Sequence, residues 1–323
     1  MAGKRTLSIF VPSAGGLTGT FLVRHLSAHP IPGYEYRIVA ADGDPRAVAK
    51  HFASAFHTVP MSRDPRYGQA VRDIVAKERI DLIFPLTSYD IPFYAAHKDE
   101  LERLGARLLV CDPRTHERLH NKSSFYAWMN DIGVPVPRVY GEGETPDYPA
   151  IVKSTESSGS RGVHRLDDES DYRYWTAKLG DRVVTAFVEG TEFTVDCLFD
   201  RSHRLVLFNG RERRKTNGGA VVVTTQAAPP DELLDVLGRI ESHLPLEGPV
   251  NFQYIRDRDG RLFLTDFNTR FASGGLPLTI AAGYDIPNLM IRLMLNEDVQ
   301  VPSLPATKLT MYRYYDELFV EEP

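Results

Sequence analysis

Val250-Asn-Phe-Gln253, the run Arg256-Asp-Arg-Asp-Gly260 and Phe263-Leu-Thr-Asp266-Phe-Asn268-Thr-Arg270 form the stretch on which the reading of this chain hangs. Apolar residues flank a cluster of Asp and Gly, which predicts two antiparallel strands joined by a tight turn. Strand alternation points Asp266 and Asn268 to one face, and an antiparallel partner can bring Gln253 alongside. Oxygen-only donors of this kind suit Mg²⁺, a hard ion that keeps waters and bridges protein carboxylates to nucleotide phosphates. The same residues would equally make the polar outer face of a hairpin.

Upstream, Tyr148-Pro-Ala-Ile-Val-Lys153 is a short apolar strand ending in a lysine, followed by Ser154-Thr-Glu-Ser-Ser-Gly-Ser-Arg-Gly162. A lysine at a strand mouth can place a point charge on phosphate oxygens, and a loop rich in N–H groups and hydroxyls can fold over them. Gly-x4-Gly-Lys-Ser/Thr is absent, so this is not a Walker A loop. A solvated lysine before a flexible linker is the plainer alternative. Glu192, within a strand-like run, could accept hydrogen bonds from ribose hydroxyls, and the cationic run Arg211-Glu-Arg-Arg-Lys215 could hold phosphate or carboxylate. Each alone is more often a solvated face. Ser13-Ala-Gly-Gly-Leu-Thr-Gly19 follows a strand and opens a helix, with Asp42 ending the next strand. It approaches a dinucleotide fingerprint, but Ala14 stands where the first glycine belongs, and tight turns use glycine without any ligand.

Up to about residue 115, strand-length apolar runs (Leu7–Val11, Tyr36–Ala41, Leu82–Pro85, Arg107–Cys111) alternate with helical spacing in Leu17–Ser27, Tyr67–Lys77 and Ile91–Leu104. That pattern predicts a Rossmann-like parallel sheet with helices on both faces. Lys122–Asn130 reads as a helix stopped by Gly133 and the Pro135/Pro137 pair. A small α+β unit follows, with strand Ala150–Lys153, helix Glu169–Lys178 and strand Arg182–Phe187. The remainder is β-rich (Glu192–Leu198, Arg204–Phe208, Ala220–Thr225, Val250–Ile255, Leu262–Phe267), with helices near Asp231–His243 and Pro287–Leu295. The expected divisions are 1–115, 116–186 and 187–323, with a frayed tail beyond Leu318.

The formal charge of -5, from Lys+Arg 38 against Asp+Glu 43, leaves no basic excess for a nucleic-acid backbone. Cys111 and Cys197 each sit in an apolar run, which predicts buried free thiols and a cytoplasmic setting. No span of membrane length or signal-like segment is expected.

Taken in order, these pieces resemble the ATP-grasp superfamily, specifically the branch of the carbamoyl-phosphate synthetase large-subunit module and its amino-acid ligase relatives. Asp81-Leu-Ile-Phe-Pro-Leu-Thr-Ser-Tyr-Asp90 is similar to the family's strand-to-loop segment facing the cleft. Asn121-Lys122 through Gly133-Val-Pro-Val-Pro137 is similar to the helix that opens its nucleotide-binding region. The resemblance implies a Rossmann-like pre-ATP-grasp domain followed by a two-subdomain ATP-grasp fold. It implies that Lys122 and Lys153 meet ATP phosphates under a loop containing Ser157, Ser158, Gly159 and Gly162. Phe187 and Val188 would lie at adenine, Glu192 at ribose, and Gln253, Asp266 and Asn268 at Mg²⁺, or Mn²⁺ in its place. Arg270, Lys153 and Arg214 would stabilise the transfer, and Ser13, Gly16, Thr87, Ser88, Asp90, Arg213 and Ser273 would face the substrates. Asp266 stands where relatives usually carry glutamate, and Ala186 at a position often acidic or amide.

The implied reaction is ATP-dependent, ADP-forming ligation of a small carboxylate to an amine through an acyl phosphate, in a chain that pairs as a homodimer. Three alternatives stand beside it: a bicarbonate-phosphorylating enzyme like carbamoyl-phosphate synthetase, a catalytically silent ATP-binding regulatory protein, and a nicotinamide oxidoreductase using the Gly15–Gly19 turn.

Overall fold

A computed structural model describes residues 3–155, 162–301 and 308–321. The first apolar run becomes β1 (Arg5–Val11), whose side chains from Leu7 onward are almost fully enclosed. It is flanked by parallel partners β2 (Tyr34–Asp42), β3 (Ala55–Thr58) and β4 (Leu82–Ile83) in the order β3-β2-β1-β4. Such continuously apolar strands are what a sheet covered on both faces requires. One face carries α1 (Leu17–Ala28) and the other α2 (Tyr67–Glu78), α3 (Ile91–Ala96) and α4 (Lys98–Arg103).

The helix expected over Ile91–Leu104 is therefore two short ones. They break at His97, which leaves helical geometry at φ -112° and hydrogen-bonds Glu100 through its ring. The strand expected at Arg107–Cys111 is likewise absent. Arg107 makes a single bridge to Leu82, and the apolar run beyond it is buried without a ladder because β4 is only two residues long.

Two helices, α5 (Pro113–His120) and α6 (Lys122–Asp131), lead out of this sheet, each with a side-chain cap: Asp112 on Arg114 and Thr115, Asn121 on Ser123 and Ser124. A second sheet, in the order β5-β8-β6-β7, holds β5 (Val139–Tyr140), β6 (Ala150–Ser154), β7 (Val163–Leu166) and β8 (Arg182–Ala186). Its small core of Tyr140, Ala150, Val152, Leu166 and Val184 is covered by α7 (Glu169–Lys178), from which Trp175 stacks on His164.

The third sheet is antiparallel, in the order β13-β12-β9-β10-β11-β14. Its strands are β9 (Gly190–Phe199), β10 (Leu205–Asn217), β11 (Ala220–Gln226), β12 (Gly248–Asp257), β13 (Leu262–Asn268) and β14 (Thr310–Tyr312), and α6 and α8 (Asp231–His243) share one core with it. The strand expected at Arg204–Phe208 runs on to Asn217, so the cationic run lies inside a strand rather than beyond one. Finally α9 (Leu276–Ala281) and α10 (Ile286–Met294) turn back to the first sheet. Met290, Ile291 and Met294 share one core with Leu7, Ile9 and Leu22, and Asp285 bonds His25 at 3.0 Å. Among the described residues no helix is long and apolar enough to cross a membrane.

Candidate active site

Register builds the centre. In the β12–β13 hairpin Gln253 stands opposite Asp266 and Asn251 opposite Asn268, so one face presents amide, carboxylate and amide in a row. Lys122, the first residue of α6, reaches this row and forms an ion pair with Asp266 although only 6% exposed. Asn268 donates to the other carboxylate oxygen at 2.9 Å. Burial opposes charge on Asp266, but Lys122 and Lys153 prevail and hold its carboxyl below the usual range.

Lys153 projects from β6 into the same region and donates to the Tyr126 hydroxyl at 2.6 Å and the Thr265 carbonyl at 2.9 Å. Burial drives its ammonium down to about 8, against the partial support of Asp266 and Glu192. On the other side Arg270 donates to Asn268 Oδ1 at 3.0 Å, Ser88 Oγ at 3.0 Å and the Phe271 carbonyl at 2.9 Å. The arginine thereby ties the hairpin to the loop after β4.

Two cavities meet at this row, each of about 300 Å³, at the lower end of the range for small-molecule sites. The first is flanked by Lys122, Lys153 and Glu192 and walled by Ile151, Phe187, Val188 and Ile255, an apolar slot with charge at one end. The second is polar: Ser13, Gly16, Thr87, Ser88 and Ser273 line it with Arg211, Arg213 and Arg270. Gln253 and Asp266 line both. The loops of the second cavity leave the carboxyl ends of parallel strands β1 and β4, the usual position for ligands on such sheets.

Several expected residues lie elsewhere. Arg214 points away from both cavities; it is half-exposed and paired with Glu212 at 3.3 Å. Alternation along β10 explains this, since Arg211 and Arg213 take the inward face and leave Glu212 and Arg214 outside. Asp90 is fully buried behind the lining, where its carboxylate accepts the Thr87 N–H and hydroxyl at 2.9 Å each. Burial pushes its pKa up, opposed by hydrogen bonds from Ser13 and Thr87. Gly162 lines neither cavity and accepts from the Ser154 N–H, with φ 73°. Ser157, Ser158 and Gly159 lie outside the described residues. Asp42, the acidic residue of the fingerprint-like turn, accepts the Gly15 N–H at 2.7 Å and so fastens that turn internally.

Arg211 opens the cationic run noted in the sequence, but the expected site residues took Arg213 and Arg214 from that run and not Arg211. It is 1% exposed, held by Asp196 at 3.0 and 3.3 Å, and leaves Nη1 buried without a partner among the described residues. Its guanidinium occupies the space a side chain at Gly275 would need: a Cβ there would fall 2.0 Å from Arg211 Cζ. The signal was present as a glycine pair four and five residues beyond Arg270, but only the third dimension assigns Gly275 to Arg211.

The fold is that of an ATP-grasp protein with a PylC-like N-terminal domain. Residues 178–316 match the family described as ATP-grasp in the biosynthetic pathway with Ter operon, and residues 22–109 the PylC-like N-terminal domain. The 3-methyl-D-ornithine--L-lysine ligase of Methanosarcina acetivorans is 21% identical over 290 residues, 87% of this chain and 73% of that one. The D-alanine--D-alanine ligase of Petrotoga mobilis is 26% identical over 131 residues, 36% of this chain; the match spans 44% of that ligase. Among solved structures, the biotin carboxylase domain dimer of Hydrogenobacter thermophilus 2-oxoglutarate carboxylase, in complex with MgADP, ADP and bicarbonate, superposes with a TM-score of 0.71. Its identity is 16%, over 91% of this chain and 70% of that chain.

Proposed function

We propose that this protein is an ATP-dependent, ADP-forming carboxylate–amine ligase that works through an acyl phosphate. The observation that carries the reading is the sharing of Gln253 and Asp266 by an apolar slot with two lysines and a polar cavity with three arginines. A nucleotide in the slot ends its phosphate chain where a carboxylate in the cavity begins. ATP-grasp ligases among the relatives support this class of chemistry.

Phe187 and Val188 would flank adenine, Glu192 the ribose, and Lys122 and Lys153 the phosphates, beneath the loop bearing Ser157, Ser158, Gly159 and Gly162. One carboxylate with two amide oxygens, Asp266 with Gln253 and Asn268, fits Mg²⁺, which takes one or two carboxylates and leaves its other positions to water and phosphate. Bound there, the ion would neutralise charge on the phosphate chain. Arg270 would hold the transferred group, and Arg211 with Arg213 the substrate carboxylate, flanked by Ser13, Gly16, Thr87, Ser88 and Ser273. Asp90 acts one step back, by fixing Thr87. The carboxylate oxygen attacks the γ-phosphorus and ADP leaves; the amine nitrogen then bonds to the acyl carbon, the C–O bond to phosphate breaks, and phosphate carries off the proton. Positioning and charge supply the rate, so no nucleophilic side chain is needed.

We place the functional divisions at 1–115, 116–186 and 187–323, with a lid around residues 143–185 shielding the acyl phosphate from water. A cytoplasmic homodimer accompanies this reading, and light scattering of the purified chain tests the pairing. The central test is hydroxamate formation: ATP, Mg²⁺ and a panel of carboxylic acids with hydroxylamine give ADP and an acyl hydroxamate. Lys153→Ala and Asn268→Ala abolish it, whereas Arg270→Ala lowers kcat with ATP affinity retained. Bicarbonate-stimulated ADP release without any organic acid would decide for a carboxyphosphate enzyme instead.

A further inference from the structure

A larger depression, of about 940 Å³, lies on the far side of the Ser88–Tyr89 loop from the polar cavity. Its walls come from the loop at Ser62 and Arg63, from Pro92 and Phe93 of α3, and from α5 and the first turn of α6. Ser88 and Tyr89 line this groove and the polar cavity alike, so the partition between them is one loop thick. At that partition Ser88 Oγ accepts from Arg270.

The groove is cationic. Arg63, Arg114 and Arg118 line it against a single acid, Glu117. Arg118 is engaged elsewhere, over the Trp128 ring at 4.1 Å and 3.8 Å from Asp131. Arg63 lies over the Tyr89 ring at 5.9 Å, and among the described residues neither its guanidinium nor that of Arg114 has a hydrogen bond or ion pair. On the groove wall His116 is 5% exposed. Its Nδ1 lies 2.6 Å from the Thr269 hydroxyl, one residue from Arg270, and its Nε2 is buried with no hydrogen-bond partner among the described residues. Burial, then His120 and Arg270, push this imidazole down to about 4, so His116 adds a polar but uncharged group to the cationic wall at neutral pH. A buried ring nitrogen without a partner costs stability unless a ligand or water meets it.

We infer that this groove receives the second substrate, an amine that also carries a carboxylate: Arg63 and Arg114 hold the anion, and the amino end passes Ser88 to the acyl phosphate beside Arg270. An amino acid is the chemical class that fits. The inference rests on the ligase reading and adds the identity and entry side of the nucleophile. The bond changes are those already given, with nitrogen replacing phosphate oxygen on the acyl carbon and phosphate taking the proton.

Hydroxylamine separates the two ideas, because it is small and uncharged and traps the acyl phosphate without a carboxylate anchor. Kinetics would be measured for wild type and an Arg63→Ala/Arg114→Ala protein, both side chains being exposed, with hydroxylamine, with each common amino acid, and with the amide of the amino acid consumed. Losing charge-assisted contacts should raise KM for that amino acid about tenfold relative to KM for hydroxylamine. The amide should be a poor nucleophile that the double variant does not discriminate. Equal use of acid and amide, a double variant with wild-type KM for the acid, or hydroxamate formation with no amino acid consumed would each overturn the groove assignment while leaving the ligase standing. Absence of hydroxamate from wild type on every acid would remove both.

Discussion

Lys153 is a cation held in a buried pocket by a hydroxyl and a carbonyl, and its lowered pKa has two measurable consequences. Between about 8 and the free-lysine value of 10.5 the unfolded chain binds a proton that the folded chain has lost, so stability rises with pH through that window. At neutral pH the buried ammonium is a liability, and Lys153→Met should raise the melting temperature of the ligand-free protein while abolishing ATP binding. ATP, in contrast, needs the charged form, so its Kd should climb about tenfold per pH unit above 8, readable by calorimetry from pH 7 to 9.5. The cysteines behave oppositely. Burial pushes Cys111 up to about 12 and Cys197 well above its usual value, so neither should react with a thiol reagent until the protein is unfolded. That both are buried was legible from the apolar runs around them.

At the scale of elements, the β12–β13 hairpin was the most legible part of the chain. Alternation puts Asp266 and Asn268 on one face, but Gln253 comes opposite Asp266 only through a bulge at Thr265, which also lets Leu264 and Phe267 both face the core. β10 was less so. Its arginines alternate, but which parity faces inward depends on pairing with β9 and on the bulge between Arg213 and Lys215 opposite β11, which adjacent letters do not encode. Short edge strands such as β3, β7 and β14 went unread for a related reason: three or four residues carry too little periodicity, and their neighbours impose their geometry. The loop before α9 offers a direct test of Arg211. Gly275→Ala would drive a methyl into the guanidinium, so KM for the carboxylate substrate should rise while KM for ATP stays near wild type.

For the whole molecule, the notable connection is the return of α10 to the first sheet. Charged and amide contacts fasten it, His25 with Asp285 and Tyr36 with Asn288, over a shared apolar core. A fragment ending near residue 115 would bare the face that α10 covers and should aggregate. Met290→Ala, at a fully enclosed position, should cost about 2–5 kcal/mol in denaturant titration. Such long-range docking cannot be read from composition, because the amphipathic stripe of α10 fits a sheet of either kind. The Lys122–Asp266 pair bears on a different matter, the order in which ligands arrive. With an ammonium on one oxygen and an amide on the other, this carboxylate offers a lone divalent ion little attraction. A triphosphate gives Lys122 a competing partner and frees the oxygen, so ion and nucleotide should enter as one species, and Mg²⁺ titrated by itself should evolve no heat.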